Sequence, residues 1–297
     1  MLISTQKYLT ASNRSWFQNH KWLVLRRFSQ LSIFSLFMLG PWFDIWVIKG
    51  NLSSSLTLDV LPLTDPFIAI QSLFAGQSAT TTTLTGALII SVFYILVGGR
   101  VYCSWVCPIN IATDSASWLR KNLNIKSSSL FPRNTRYWLL LTAFIMALIT
   151  GTLSWELINP VTLVQRGIIS GLWISAAIML MIFLFDLLIS RDAWCGHICP
   201  VGAFYSLFGR LGITRVSAYH RDNCDDCMDC FVVCPEEQVI KPALRGAKNN
   251  ISPVILDINC TNCGRCIDVC DKNVFKFTNR FNHYTTSNKP LNQEPSQ

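Results

Sequence analysis

Eight cysteines near the end of this chain stand at a spacing that leaves few structural options: Cys224-x-x-Cys227-x-x-Cys230-x-x-x-Cys234-Pro235, then Cys260-x-x-Cys263-x-x-Cys266-x-x-x-Cys270. Three thiolates separated by pairs of residues can wrap three corners of a cuboidal [4Fe–4S] cluster, while the fourth points away to a neighbouring cluster. One cluster is therefore expected to take Cys224, Cys227, Cys230 and Cys270, and the other Cys260, Cys263, Cys266 and Cys234. A structural zinc site would call for two separated Cys-x-x-Cys pairs per metal. Asp271 follows Cys270 where Pro235 follows Cys234, a change that removes no ligand.

What precedes these cysteines reads as membrane protein. Of the 297 residues 51% are hydrophobic and 14% charged, against roughly 25% charged in soluble domains. Four runs, 28–48, 84–101, 137–158 and 171–189, are apolar enough to cross a hydrocarbon core that needs about 20 helical residues. A fifth, 56–75, contains Asp59, Pro62, Asp65 and Pro66 and reads as an outer loop or interfacial hairpin. The 27 residues before the first run are polar with five cations; they do not read as a cleavable signal peptide, so the first helix is expected to remain.

The net charge of +8 marks sidedness rather than a nucleic-acid partner. Of the 25 Lys and Arg, only Lys49 and Arg166 fall between spans on the proposed outer side. The positive-inside bias therefore puts the N-terminus and the cysteine-rich tail in the cytoplasm, with the chain multi-pass in a bacterial inner membrane.

The membrane part is duplicated. Asp65-Pro66-Phe67-Ile68-Ala69-Ile70-Gln71 parallels Asn159-Pro160-Val161-Thr162-Leu163-Val164-Gln165, and each Pro is followed, 37 and 35 residues later, by the first Cys of a Cys-x-x-x-Cys-Pro motif. These motifs, Cys103/Cys107 and Cys195/Cys199, lie just past inner span ends, where paired soft thiolates suit a metal, another cofactor or electron exchange. The alternative is a small residue at a helix end with Pro to stop the helix. A disulfide is disfavoured on that side of the membrane. His197, inside the second motif, is either a further ligand or a solvated helix-end residue. His20, His197, His220 and His283 all lie outside the spans, so no intramembrane His pair offers itself to a b-type haem.

Acids at span ends are candidates for function. Asp44 and Glu156 are placed to accept protons from a quinol, with Gln71 and Gln165 bonding the ring oxygens; the alternative is that the acids face interfacial water. Asp186 is expected to pair with Arg191 or reach the headgroups, and Trp22, Trp42, Tyr102, Tyr137 and Trp138 to form an aromatic belt.

The expected fold class is a mostly α integral membrane protein, with four transmembrane helices in two internal repeats and a C-terminal bacterial-type 2[4Fe–4S] ferredoxin domain. Its parts are a cytoplasmic N-terminal segment (1–27), a membrane domain (28–210) with the paired-cysteine motifs at 103–108 and 195–200, a ferredoxin-like domain (211–280) and a polar tail (281–297).

Four spans, paired Cys-x-x-x-Cys-Pro motifs and a two-cluster tail together resemble the NapH family over roughly residues 25 to 280. The resemblance implies a ferredoxin-type component of a quinol dehydrogenase. Its electrons would pass from the quinone pool through a periplasmic iron–sulfur subunit (NapG-like) and a tetrahaem cytochrome (NapC-like) to periplasmic nitrate reductase. It carries the eight tail cysteines over as cluster ligands and Cys103, Cys107, Cys195 and Cys199 as the family's paired cysteines. Two other readings stay open: a copper-handling assembly factor using those pairs, and a docking platform for redox partners.

Overall fold

The structure, a computed structural model, describes residues 15–78, 80–125, 132–171, 173–249 and 251–282; His283 and most of the expected polar tail lie outside them, as do residues 1–14. The chain divides into two compact units. One is Arg26–Ile213 with Asp257–Thr261; the other comprises, among the described residues, 15–25, 214–256 and 262–282.

The helices begin with α1 (Trp16–Asn19) and α2 (Lys21–Phe43), the latter leading into an antiparallel sheet of β1 (Ile48–Gly50), β2 (Ser54–Thr57) and β3 (Leu61–Thr64). Next come α3 (Pro66–Phe74), α4 (Thr81–Val97), α5 (Val101–Trp105), α6 (Ile109–Asn122) and α7 (Thr135–Thr150). The unit ends with α8 (Ser154–Ile158), α9 (Pro160–Ile169), α10 (Ile174–Leu188), a π-helical turn (Trp194–Ile198) and α11 (Pro200–Gly209).

Among the described residues one helix, α2, is by length and composition able to cross a membrane; α4, α7 and α10 are apolar but shorter, at 17, 16 and 15 residues. Backbone breaks set these lengths. Left-handed Asp44 (φ 58°) ends the α2 region before residue 48, Gly98 (φ 112°) closes α4 and Gly151 (φ 64°) caps α7. The apolar runs 28–48, 84–101 and 137–158 thus each outlast the regular helix they contain.

The stretch 56–75 is only partly a hairpin. Strands β2 and β3 pair from Ser54↔Thr64 to Thr57↔Leu61, and β3 lies along α4. Gly86 permits that approach, because a Cβ there would stand 2.9 Å from Thr64 Oγ1 and 3.0 Å from its backbone nitrogen. Beyond the hairpin the chain does not stay at the surface. Asp65 and Phe67 are buried, and Phe67 packs between Phe144 (5.5 Å) and Phe204 (5.4 Å). Helix α3 then runs back beside α7, bringing Phe74 against Phe144 and Ala75 O to within 3.8 Å of the Cβ position of Gly151. It is a short helix of nine residues, and the ten-residue α9 is its counterpart in the second repeat. Each starts Pro-first behind a side-chain cap: Asp65 accepts from Phe67 N (2.9 Å) and Asn159 from Val161 N (3.1 Å).

Several residues expected at the membrane boundary are in the core instead. Tyr102 is buried and stacks on Tyr205 (4.9 Å), while Trp42 and Trp138 do face outward. Asp186 is buried and accepts from Trp194 N (2.9 Å); Arg191 pairs with Asp192 (3.3 Å), which corrects the expected Asp186–Arg191 pair. Arg100 and Arg136 are buried too, and they explain why Asp257–Thr261 belongs to this unit. Arg100 Nη1 donates to Asn259 O (3.2 Å), Arg136 Nη2 to Asn259 Oδ1 (2.6 Å) and Ser104 Oγ to Thr261 O (2.8 Å).

In the other unit, β4 (Thr214–Ser217) pairs antiparallel with β5 (Lys276–Asn279) from Thr214↔Asn279 to Ser217↔Lys276. Between them α12 (Asp229–Val233) packs on α14 (Arg265–Val269), with α13 (Ile240–Arg245) completing the fold. Asp268 on α14 accepts the backbone N–H groups of Trp22 (3.1 Å) and Leu23 (3.0 Å). Helices of five residues do not stand alone, so something other than helix propensity must hold α12 and α14.

Candidate metal centres

In the tail unit the two cysteine runs share one backbone path. Asp226 (φ 55°) and Met228 (φ 67°) flank Cys227, as Asn262 (φ 48°) and Gly264 (φ 74°) flank Cys263. Left-handed residues on either side of the middle cysteine fold each loop back on itself, and in the first loop the N–H groups of Asp229 and Phe231 donate to Cys227 and Cys230. Gly264 is fixed further by Trp22, whose Cγ would lie 2.6 Å from a Cβ there.

Cys224, Cys227, Cys230 and Cys270 line one cavity of about 350 Å³ with Met228, Phe231, Leu244 and Val274. Burial, and then the neighbouring Cys270, Cys227 and Cys224, push the Cys230 thiol up to about 12. Four convergent thiols in a partly apolar shell are a donor set that fits an iron–sulfur cluster. Of the second set, Cys263 and Cys266 are buried, and Cys234 is half-buried at the C-terminal end of α12. Cys260 lies in the Asp257–Thr261 segment. All twelve cysteines are free thiols.

A second thiol site lies within the duplicated unit. Cys103, Cys107, Cys195 and Cys199 line a single cavity of about 530 Å³ with Asp65, Tyr102, Trp155, Asn159 and Trp194 among its walls. The two Cys-Pro corners are built alike. The N–H groups of Ile109 and Asn110 donate to Cys107, and those of Val201 and Gly202 donate to Cys199, so each sulfur closes the first turn of the helix that follows it. Burial nonetheless pushes Cys199 up to about 11 and raises Cys107 and Cys195 further. His197 is buried rather than solvated and is not among the residues lining the cavity.

The quinol candidates separate. Glu156 accepts from Ser53 Oγ (3.1 Å) and Asn159 Nδ2 (3.2 Å), and Gln165 Oε1 accepts from Leu52 N (3.4 Å), so these two share the 51–53 turn. Gln71 is buried, bonds Ala143 O at 3.4 Å and leaves Oε1 without a hydrogen-bond partner. Asp44 is exposed and accepts from Trp46 Nε1 (2.6 Å).

Sequence reasoning did not single out Asp65, Asn159 or Tyr205 as site residues. The repeat itself carried the signal, since Asp65 and Asn159 head its two copies. Tyr205 Oη donates to Asp65 Oδ1 (3.0 Å), and burial raises the Asp65 carboxyl to about 6 against the lowering effect of its bonds to Phe67 and Tyr205. A raised carboxyl pKa favours the fold when protonated; that contribution is present at low pH and is lost as the pH rises through about 6. Asp65→Asn keeps a capping oxygen, as Asn159 does, and should raise stability at pH 8 by about 2 to 3 kcal/mol with no gain at pH 4. Asp65→Ala loses the cap, at a cost of about 1 kcal/mol. Thermal unfolding of the detergent-solubilised protein at both pH values reads the difference; equal effects of Asn at the two would refute it.

A family described as a 4Fe-4S binding domain matches residues 79–126 and 172–217, the stretches that carry the two Cys-x-x-x-Cys-Pro motifs, and one described as a 4Fe-4S dicluster domain matches residues 223–274. The chain is 46% identical to the ferredoxin-type protein NapH of Escherichia coli strain K12, over 90% of this chain and 93% of the relative. It is 49% identical to the methylamine utilization ferredoxin-type protein MauN of Paracoccus denitrificans, over 94% and 98%. A putative electron transport protein of Escherichia coli, YccM, is 24% identical over 67% of this chain and 57% of its own length. No solved structure matches the chain.

Proposed function

Because the chain belongs to the family of ferredoxin-type proteins that includes NapH and MauN, we propose that it works as the membrane-embedded electron-transfer subunit of a quinol dehydrogenase. The observation that carries this reading is the join, in one polypeptide, of a dicluster ferredoxin domain to a unit whose helices turn apolar side chains outward. Leu88 on α4, Leu148 on α7 and Leu188 on α10 are 64%, 63% and 68% exposed; such surfaces are stable against lipid and a liability in water. In this proposal α2, α4, α7 and α10 are the four spans, with both termini cytoplasmic. The shorter three reach about 22 to 26 Å at 1.5 Å per residue, and the turns beyond their ends supply the remaining depth.

Cluster ligation in this reading follows the cysteine runs: Cys224, Cys227, Cys230 and Cys270 for one [4Fe–4S] cluster, and Cys260, Cys263, Cys266 and Cys234 for the other. Each bound cluster exchanges single electrons. A quinol gives up two electrons and two protons, so the chain must offer a proton acceptor as well as an electron path. Glu156 is the acceptor favoured here, since Ser53 and Asn159 orient its carboxylate while Gln165 stands on the same turn. The partners are the quinone pool, an iron–sulfur subunit and a tetrahaem cytochrome, with periplasmic nitrate reductase as the terminal acceptor. The similar identity to MauN favours a second reading of the acceptor alone, an electron route serving methylamine utilization.

Purified protein in proteoliposomes should show its clusters reduced by a quinol analogue, as an optical bleach and new paramagnetic signals; unchanged spectra over the accessible potentials would sink the reading. Glu156→Gln should slow that reduction by about 10²-fold with iron content unchanged. A normal rate in this variant removes Glu156 from the mechanism. Growth of a deletion strain on nitrate as electron acceptor, against growth on methylamine, separates the two acceptors.

A further inference from the structure

We infer that the paired-cysteine cavity is where the quinol ring binds, with Asp65 taking one of its two protons and Glu156, held by Asn159, taking the other. The inference rests on the quinol dehydrogenase reading and gives that reading its substrate site. Asp65 and Asn159 head the two copies of the repeat, and both line the cavity. Of the two, only the acid can accept a proton.

The walls suit a ring with two oxygens. The cavity encloses about 530 Å³, against about 350 Å³ for the four-thiol cavity of the tail, so it has room for a ring beside whatever its own thiols hold. Pockets for small organic ligands are of this size, roughly 300 to 1,000 Å³, and are apolar with a few polar groups. Phe67, Ile68, Val161 and Val201 supply the apolar part. Trp155, in the same wall and 7% exposed, has its indole N–H without a hydrogen-bond partner. Buried donors are seldom left so, and a ring oxygen is a partner of the kind this one lacks.

The two acids are joined through one residue. Asp65 is 8% exposed, and its bonds to Phe67 N (2.9 Å) and Tyr205 Oη (3.0 Å) both fall on Oδ1. Oδ2 is therefore the oxygen open to a proton. Ser53 accepts at its carbonyl from Asp65 N (2.8 Å) and donates from its hydroxyl to Glu156 (3.1 Å). Asn159 Nδ2 donates to the same carboxylate (3.2 Å) from the cavity wall. Glu156 is only half-buried, so a proton it takes can pass to water. Oxidation then balances. Both ring O–H bonds break, one proton goes to Asp65 Oδ2 and one to Glu156, and two oxidised [4Fe–4S] clusters of the chain take one electron each, leaving quinone.

The groups that face Asp65 are Tyr94 of α4, Tyr102 of α5, Glu156 of α8, Tyr205 of α11 and the four motif thiols of the cavity, and none of these is cationic. Burial sets the carboxyl at about 6. It is thus an ionised base at neutral pH and loses that capacity as the pH falls through about 6.

The test uses the full chain in proteoliposomes, with short-chain ubiquinol and menaquinol analogues as reductants and an azido-quinone as photolabel. The label should fall on 65–71 and 155–165 and be displaced by the quinol analogue. Asp65→Asn keeps the cap and gains stability at pH 8, yet it should lower the limiting rate of cluster reduction about 10²-fold there, with half-saturation within about threefold of wild type. It should also abolish the fall in rate that wild type shows from pH 7 to pH 5. Trp155→Phe should raise the half-saturating quinol concentration about fivefold at an unchanged limiting rate. Should that variant fail to fold, the label and Asp65→Asn decide. A label confined to other segments, or a wild-type rate and pH profile in Asp65→Asn, overturns the proposal. Normal cluster reduction with the label elsewhere sinks the site and spares the dehydrogenase reading; wild-type clusters that neither quinol reduces sink both.

Discussion

Cys270→Ser should strip the cluster ringed by Cys224, Cys227 and Cys230 while leaving the other tail cluster in place, although Cys270 lies 40 residues beyond Cys230. The reason is that the fourth cysteine of the second run reaches the cavity of the first three. Cys234→Ser should do the reverse, sparing that cavity despite being only four residues from Cys230. Each variant should lose about four irons and one set of paramagnetic signals. Structural loss should accompany the chemical one: α12 and α14 have five residues each, and metal binding in small domains supplies on the order of 10 kcal/mol of folding free energy. Proteolysis of residues 214–282 should therefore become rapid in either variant. If Cys234→Ser emptied the Cys224 cavity and Cys270→Ser did not, the crossed ligation would be wrong.

Gly99→Ala should prevent the larger unit from accumulating. A Cβ on Gly99 would be driven into the backbone of α11, at Gly209 N and at Tyr205 O. Backbone atoms at helix contacts cannot swing aside as a side-chain tip does, so the helices must separate, at a cost of about 3 kcal/mol or more. Gly99 also adjoins Arg100 and begins the approach to Cys103. Gly196→Ala is the control, because a Cβ there meets nothing within 4 Å, although Gly196 lies inside the second cysteine motif and its carbonyl accepts from Arg136 (2.9 Å). The yield of folded protein and its melting temperature should fall steeply for Gly99→Ala and barely for Gly196→Ala. Equal behaviour would show that the close approach is not what holds α11.

The sequence made the cysteine chemistry plain because ligand spacing is local: Cys224-x-x-Cys227-x-x-Cys230 states its own geometry. It also gave the repeat, and with it the residues that matter most in the second site. What it concealed was depth. Asp65, Pro66 and the polar residues before them look like a surface loop, since acid and proline are costly within a continuous span. They are tolerated because proline opens α3, where its missing N–H costs nothing, and Asp65 caps the same turn. The buried arginines were hidden for a related reason. Charge counting treats Arg100 and Arg136 as markers of a membrane face, whereas each bonds carbonyls inside the unit, and nothing short of the fold reveals those carbonyls. Gln71 and Gln165 hold equivalent places in the repeat but have different neighbours, because only the second meets the 51–53 turn.

The walls of the paired-cysteine cavity come from residues as early as Asp65 and as late as Val201. During synthesis, then, the enclosure cannot exist until almost the whole unit has left the ribosome, and at that stage Phe67, Tyr102 and Cys107 have had no second repeat to cover them. The first half of the chain emerges as an unfinished object with its best packing surfaces bare. The order of manufacture follows: both halves must meet before the pocket is a pocket, while the four cysteines around the first tail cavity arrive within a stretch running from 224 to 270. A ribosome stalled before α11 leaves a product missing one wall, with the apolar lining of the other open to whatever surrounds it.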